Sequence, residues 1–213
     1  MAIAPASRIV TVLAKRYRGK AMVDLGRAED TLFATVLSAR TRDAQVLKLY
    51  PSFRKRFPSL ASLANADEGE IAASISTIGM YRNKAKFLKA LARTLIERHK
   101  GRVPRTMEEL VALPGVGRKT ASCVLSFAFG LPAVAVDTHV FRIARRLGWS
   151  RGKTPEAVER DIKKLVPEKL WSEVNRTFVP FGRDVCRPGK PQCWRCPVSA
   201  FCAYRPKTPA PLR

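Results

Sequence analysis

The chain has 213 residues, of which 40 are Lys or Arg and 17 are Asp or Glu, for a formal net charge of +23. That length holds one large core or two modest ones; no apolar stretch is long enough to span a bilayer, and no amphipathic segment has the strongly apolar face that a membrane-surface role requires. Positive charge spread along the whole chain points to a polyanionic partner, because counterion release from nucleic acid supplies affinity, although many single cations simply solvate helix faces.

The opening MAIAPASRIVTVLAK has no basic start, long apolar core or small-residue cleavage site, so no secretory leader is read there. A reducing compartment is expected, the cytoplasm in the vicinity of the nucleoid. Helical periodicity dominates the chain and no segment alternates in the strand manner, so the fold class is all-α. Helices are expected over Ser7 to Tyr17, Ala28 to Ala39, Asp43 to Phe57, Glu68 to Ser76, Asn83 to His99, Met107 to Leu113, Lys119 to Phe129, Asp137 to Leu147, Pro155 to Leu165 and Lys169 to Val179. Thr154 before Pro155 reads as a cap followed by a first-turn proline, and Gly101, Gly130 and Gly148 fall just past helix ends. The proline-rich tail after Cys202 is expected to be disordered.

Within MEELVALPGVGRKTASCVLSFAFG a short helix, a tight turn through Pro114, Gly115, Val116 and Gly117, and a second helix make a helix-hairpin-helix. The glycines let the turn approach a phosphate, and the amides opening the second helix carry partial positive charge. GVGRKT is not a nucleotide-binding P-loop: its glycines are two apart, Arg118 intervenes, and a helix comes first. On the second helix Ala121, Val124, Leu125 and Ala128 form the expected apolar stripe, with Lys119, Ser122, Cys123 and Ser126 opposite. A cation at a helix start opposes the dipole, and together with Arg118 that placement would push the Lys119 amine toward neutrality and make it a usable nucleophile; a surface charge is the plainer alternative.

Asp137, eighteen residues after Lys119, is expected to cap a helix from a partly buried position. His139 is assigned no catalytic role. On the same helix Val140, Ile143, Ala144 and Leu147 face inward, leaving Arg142, Arg145 and Arg146 for solvent or a phosphate backbone. Near the end, Cys186, Cys193, Cys196 and Cys202 succeed one another with gaps of six, two and five residues. A compact loop of four thiols with one CxxC suits a [4Fe-4S] cubane better than a tetrahedral zinc ion, and disulfides fit least in a reducing compartment.

LPGVGRKTA, the VDTH segment and the cysteine loop, in this order and spacing, resemble the endonuclease III family of DNA base-excision glycosylases, over nearly the whole chain from the helix near Ser38 to Cys202. The resemblance implies two helical domains: a six-helix barrel over residues 22–131 containing the hairpin, and a cluster domain made of 1–21 and 132–213, with the active site in the cleft between them. It implies Lys119 as the nucleophile assisted by Asp137, a [4Fe-4S] cluster on the four cysteines, and Cys123 as a core thiol. Duplex DNA with damaged bases or abasic sites would be held by Gly115, Gly117 and Arg118 and by Arg187, Lys190 and Arg195 of the cysteine loop. Met80 would enter the base stack while Arg82, Asn83 and Lys84 hold the backbone. The chain departs from the family at Arg40, where glutamine is common, so arginine would face the orphaned base, and at Val179 to Arg183, where VPFGR replaces a histidine-rich HGR segment. The function so implied is a monomeric glycosylase with AP-lyase activity on oxidised pyrimidines. Its alternatives are a monofunctional mismatch glycosylase on the same scaffold and a weakly active or non-catalytic iron-sulfur DNA-binding paralogue.

Overall fold

The structure, a computed structural model, describes residues 6–17, 23 and 25–211. Among these residues there is no strand, and the helices fall into two compact units, Met22–Gly130 and Met1–Ala21 with Leu131–Arg213. The expected division at residue 22 falls outside the described residues.

The continuous unit holds α2 (Ala28–Ser38), α3 (Asp43–Arg56), α4 (Leu60–Asn65), α5 (Glu68–Ser74), α6 (Tyr81–His99), α7 (Met107–Val111) and α8 (Arg118–Ala128). The long α6 packs on α4 and α5, and α2 packs on α8. Leu32, Phe33, Leu37, Phe53, Leu88, Leu91 and Leu95 are wholly buried there. α2 opens with Glu29 and Asp30, which complement its dipole and are bridged by Arg54 of α3 at 2.8 and 2.9 Å. The helix α4 is not among those expected from the sequence. It is a six-residue turn-and-a-half held by a reciprocal Ser59–Ser62 capping box, and its buried Leu63 gives too short a pattern for a 3.6-residue period to register.

The second unit joins α1 (Ala6–Tyr17) to α9 (Thr138–Leu147), α10 (Pro155–Leu165) and α11 (Trp171–Asp184), with one-turn 3-10 helices at Glu168–Leu170, Cys193–Arg195 and Ser199–Phe201. Ile9 and Leu13 share a core with Val140, Ile143, Ile162, Phe178 and Phe181. Asp137 caps α9, and Gly148 ends it at φ 80°.

Three further features depart from expectation. The last helix does not stop at Val179 but runs through Pro180 to Asp184. A proline removes one donor from the ladder, yet Val179 and Phe181 on either side are buried, and that packing outweighs one lost hydrogen bond. The tail is not free: Lys207 Nζ donates to Cys202 O at 2.9 Å, and Arg146 lies over the Tyr204 ring at 4.7 Å. And α8 has no solvent face opposite its apolar stripe, since Ser122, Cys123 and Ser126 are as buried as Val124. Small side chains let a helix be enclosed on most sides, which periodicity of polar residues does not reveal.

Candidate functional site

The hairpin is built by α7, capped by Thr106 Oγ1 accepting from Glu109 N at 3.3 Å, and by α8, whose cap is Gly117. Between them Val116 N donates to Leu113 O at 3.1 Å, and Gly115 takes φ 75°. A Cβ at Gly115 would lie 2.9 Å from Phe87, so this glycine is required by both conformation and space. Gly117 is different. Its φ is −91° and a Cβ there would meet no atom of the described residues within 4 Å, so the space beside the turn is open at that distance. Arg118 and Lys119 form the first turn of α8; Arg118 is exposed and Lys119 half-buried. Ser122 Oγ and Ser126 Oγ, on the face of α8 that carries Lys119, are buried and find no hydrogen-bond partner among the described residues.

In the other unit Asp137 Oδ1 accepts from the backbone amides of His139 and Val140 at 2.9 and 2.8 Å. Both cap bonds go to one oxygen, which sits at the positive end of the α9 dipole. The Arg142 guanidinium contacts His139 Nδ1 at 3.1 Å, and its Nη2 donates to Gly182 O at 3.2 Å. A Cβ on Gly182 would come within 2.6 Å of His139 Nδ1, so glycine is what lets α9 seat this pair against α11. Burial lowers the Arg142 pKa, while Cys186 and Asp137 nearby oppose that shift.

The four cysteines of the terminal loop are all unpaired and line one pocket enclosing about 370 Å³ of space, open solvent included. Burial pushes the Cys196 thiol up to about 11, and the proximity of Cys202, Cys186 and Cys193 adds to the rise. Among the described residues no three His, Cys, Asp or Glu side chains are grouped to hold a single metal ion. Arg142 and Arg146, expected to face solvent or phosphate, instead hold this loop. Arg142 Nε donates to Cys186 O at 3.0 Å, and Arg146 donates to Arg187 O at 2.7 Å, Pro188 O at 2.6 Å and Cys186 Sγ at 3.4 Å. Their i, i+4 spacing on α9 was the visible signal; that loop carbonyls would be the acceptors was not.

Asp184 ties the loop to α1: it accepts from the Tyr17 hydroxyl at 2.7 Å and from Arg195 Nη2 at 2.5 Å, and these bonds, Tyr17's first, hold its carboxyl below the ordinary range. Arg195 is thus engaged within the loop, also donating to Gln192 Oε1 at 2.5 Å, while Arg187 and Lys190 are exposed.

A third group lies in the continuous unit. Arg40 and Met80 are non-glycine residues at φ 54° and 59°, both exposed, at the tips of the turns preceding α3 and α6. Met80, Tyr81, Arg82 and Asn83 line a surface hollow, and Arg82 lies over the Tyr81 ring at 5.6 Å. Lys84 does not join them. It is 4% exposed, with Nζ donating to Leu37 O at 2.7 Å and Thr41 Oγ1 at 2.8 Å, so it faces the interior and is not a backbone-phosphate contact. One turn of helix separates Lys84 from the exposed Met80, and a sequence run of polar residues does not indicate which of them turns inward.

Residues 33–168 match the family described as HhH-GPD superfamily base excision DNA repair protein. Endonuclease III of Thermotoga maritima is 45% identical over 173 residues, 81% of each chain, and that of Synechocystis sp. is 41% identical over 199 residues, 92% of this chain and 91% of the relative. The chain belongs to the endonuclease III family. Among solved structures, a trapped covalent intermediate of endonuclease III and DNA, an estranged-adenine complex, superposes with a TM-score of 0.85 at 37% identity, covering 91% of this chain and 92% of that one. A thermostable thymine-DNA glycosylase superposes at 0.81 with 28% identity, covering 92% and 94%. The endonuclease III family fold is the two-domain, all-helical one of the helix-hairpin-helix glycosylases.

Proposed function

We propose that this member of the endonuclease III family, a base-excision DNA glycosylase with AP-lyase activity, acts on oxidised pyrimidines in duplex DNA, with Lys119 as the nucleophile and Asp137 as its helper. The observation that carries the assignment of the nucleophile is a half-buried lysine in the first turn of the helix that succeeds the Gly115–Gly117 turn. A damaged nucleotide leaves the stack because C1′ is unreachable inside a duplex. The Lys119 amine then bonds to C1′ as the C1′–N bond breaks and its electron pair leaves with the base, which takes up a proton. Opening of the sugar ring gives a Schiff base. Loss of a C2′ proton then expels the 3′ phosphate as the C3′–O bond breaks, and water releases the lysine. Asp137 supplies negative charge to the cationic sugar and accepts a proton from the attacking amine; its cap bonds at Oδ1 fix the carboxylate in advance.

DNA is held by backbone amides at the Gly115–Gly117 turn, by Arg118, and by Arg187 and Lys190 of the cysteine loop, contacts that position rather than specify. Met80 enters the stack, Arg82 and Asn83 hold the flanking backbone, and Arg40 meets the orphaned partner base. Borohydride reduction of the parent enzyme on duplex containing thymine glycol is expected to give a covalent complex. Lys119→Ala should give none, and persistence of the adduct in that variant reassigns the nucleophile. Base release without strand scission by the parent would favour the monofunctional reading, for which the likeness to a thymine-DNA glycosylase is the specific support.

The cysteine loop suits a [4Fe-4S] cluster: its four unpaired thiols line one pocket, and a cubane offers an iron to each of four thiolates. Cys186, Cys193, Cys196 and Cys202 would hold it, and when bound it supplies four iron-sulfur crosslinks to a loop otherwise held by Arg142, Arg146 and Asp184. Purified protein is expected to be brown with four irons per chain, and Cys193→Ala to lose both colour and iron. A colourless protein containing zinc rejects the cluster.

A further inference from the structure

Lys84, expected on the DNA, is found inside the protein, and what it holds there bears on lesion exposure. Its ammonium spans the turn that carries Arg40: Leu37 O lies three residues before Arg40 and Thr41 Oγ1 one residue after. Leu37 O belongs to the last turn of α2, whose carbonyls lack intrahelical partners, so a cation is electrostatically well placed there. The backbone amide of the same lysine donates to Met80 O at 3.0 Å. The two turns also lie side by side, since a Cβ built on Gly79 would stand 3.8 Å from Arg40 O. Both tips adopt the left-handed conformation that non-glycine residues avoid, a strain that persists only where the surroundings over-determine it. A lysine burying its charge against one carbonyl and one hydroxyl, with desolvation lowering its pKa to about 8, is a costly way to brace a turn. Such a cost is expected where the position of the turn is under functional constraint.

We propose that Lys84 is a positioning residue that fastens the Arg40 turn to the Met80 turn, so that the two side chains enter the duplex as one preset unit from the two sides of the vacated nucleotide. The proposal rests on the reading of Arg40 and Met80 given under Proposed function. It makes Lys84 act through those two side chains and through no contact of its own with DNA.

The test uses the full chain carrying Lys119→Gln, which blocks the covalent step, and a duplex with a reduced abasic analogue opposite 2-aminopurine. Fluorescence anisotropy reads binding, and 2-aminopurine emission reads unstacking of the orphaned base. Lys84→Met is expected to bind within about twofold of its parent, since no phosphate contact is lost, but to lose most of the rise in emission. In a chain with Lys119 restored, Lys84→Met should slow excision by roughly tenfold to a hundredfold, as a misplacement of about 1 Å does elsewhere. In an Arg40→Ala, Met80→Ala background, Lys84→Met should change neither emission nor excision further, because coupled residues are not additive. Thr41→Val, which removes one acceptor of the ammonium and little volume, should show the same loss in smaller measure and decides the matter if Lys84→Met does not fold. A full emission rise in Lys84→Met and in Thr41→Val, or losses that add to those of the double variant, overturns the proposal. If Arg40→Ala and Met80→Ala each keep the full rise, the insertion reading fails instead, independently of Lys84.

Discussion

Asp137 carries two separable tasks in one carboxylate, and substitution can divide them. Asparagine caps a helix about as well as aspartate, whereas alanine does not. Asp137→Asn is therefore expected to keep the melting temperature of the parent while excision falls by about a hundredfold or more, the charge at the sugar being gone. Asp137→Ala should lose the same activity and also about 1 kcal/mol of stability, through the amides of His139 and Val140 that it leaves uncapped. Thermal melts and single-turnover excision measured side by side check this; equal melting temperatures for the two variants would contradict the capping argument. Residue types were informative at this scale where the chemistry is local. Asp137 declared its cap because a lone acid preceded an apolar-periodic run, whereas Lys84 looked like its neighbours Arg82 and Asn83 because inward placement depends on an acceptor 47 residues away, at Leu37 O.

The hairpin is the element whose two glycines make opposite predictions. Gly115→Ala places a Cβ 2.9 Å from Phe87 at φ 75° and should cost about 1 to 3 kcal/mol of folding free energy. Gly117→Ala meets no atom of the described residues within 4 Å, at an ordinary φ, so stability is expected to be unchanged or slightly improved while affinity for duplex DNA falls, the methyl standing where a phosphate is proposed to approach. Urea unfolding and duplex titration distinguish the two; a Gly117→Ala protein with full affinity removes that glycine from the interface. Ten of the eleven α-helices among the described residues were legible in the sequence because amphipathic periods, Thr154–Pro155 and the glycine stops are local signals. The short α4 and the continuation past Pro180 were not: six residues are too few for a helical period to register, and the burial of Phe181 is set by neighbours distant in sequence. The cysteine spacing announced a shared site; the straps of Arg142, Arg146 and Tyr204 across it depend on tertiary contacts that no spacing encodes.

For the molecule as a whole, proton binding differs between folded and unfolded chains in a direction that can be worked out. Burial lowers the Lys84 pKa from 10.5 to about 8. Between these values the unfolded chain holds the proton and the folded one has released it, so unfolding free energy contributed by this residue rises with pH across that window. Tyr17 and Tyr50, raised first by burial and then by the neighbouring carboxylates of Asp184 and Asp30, act oppositely: above about pH 10 the folded chain keeps protons that the unfolded chain loses, and stability declines. Chemical denaturation of the parent and of Lys84→Met at several values from pH 7 to 9.5 should give a difference that grows with pH. A constant difference means that the lysine titrates alike in both states. Across the same scale runs a topological fact: α1 has its core partners, Phe178 and Phe181, on α11, and its Tyr17 hydroxyl donates to an aspartate 167 residues further on. A ribosome making this chain completes the whole Met22–Gly130 unit before Phe178 exists, so α1, translated ahead of that unit, finds its place after it. Through most of translation its apolar stripe of Ile9, Val10 and Leu13 has no native cover, which makes that stripe the segment a holding chaperone has longest to grasp.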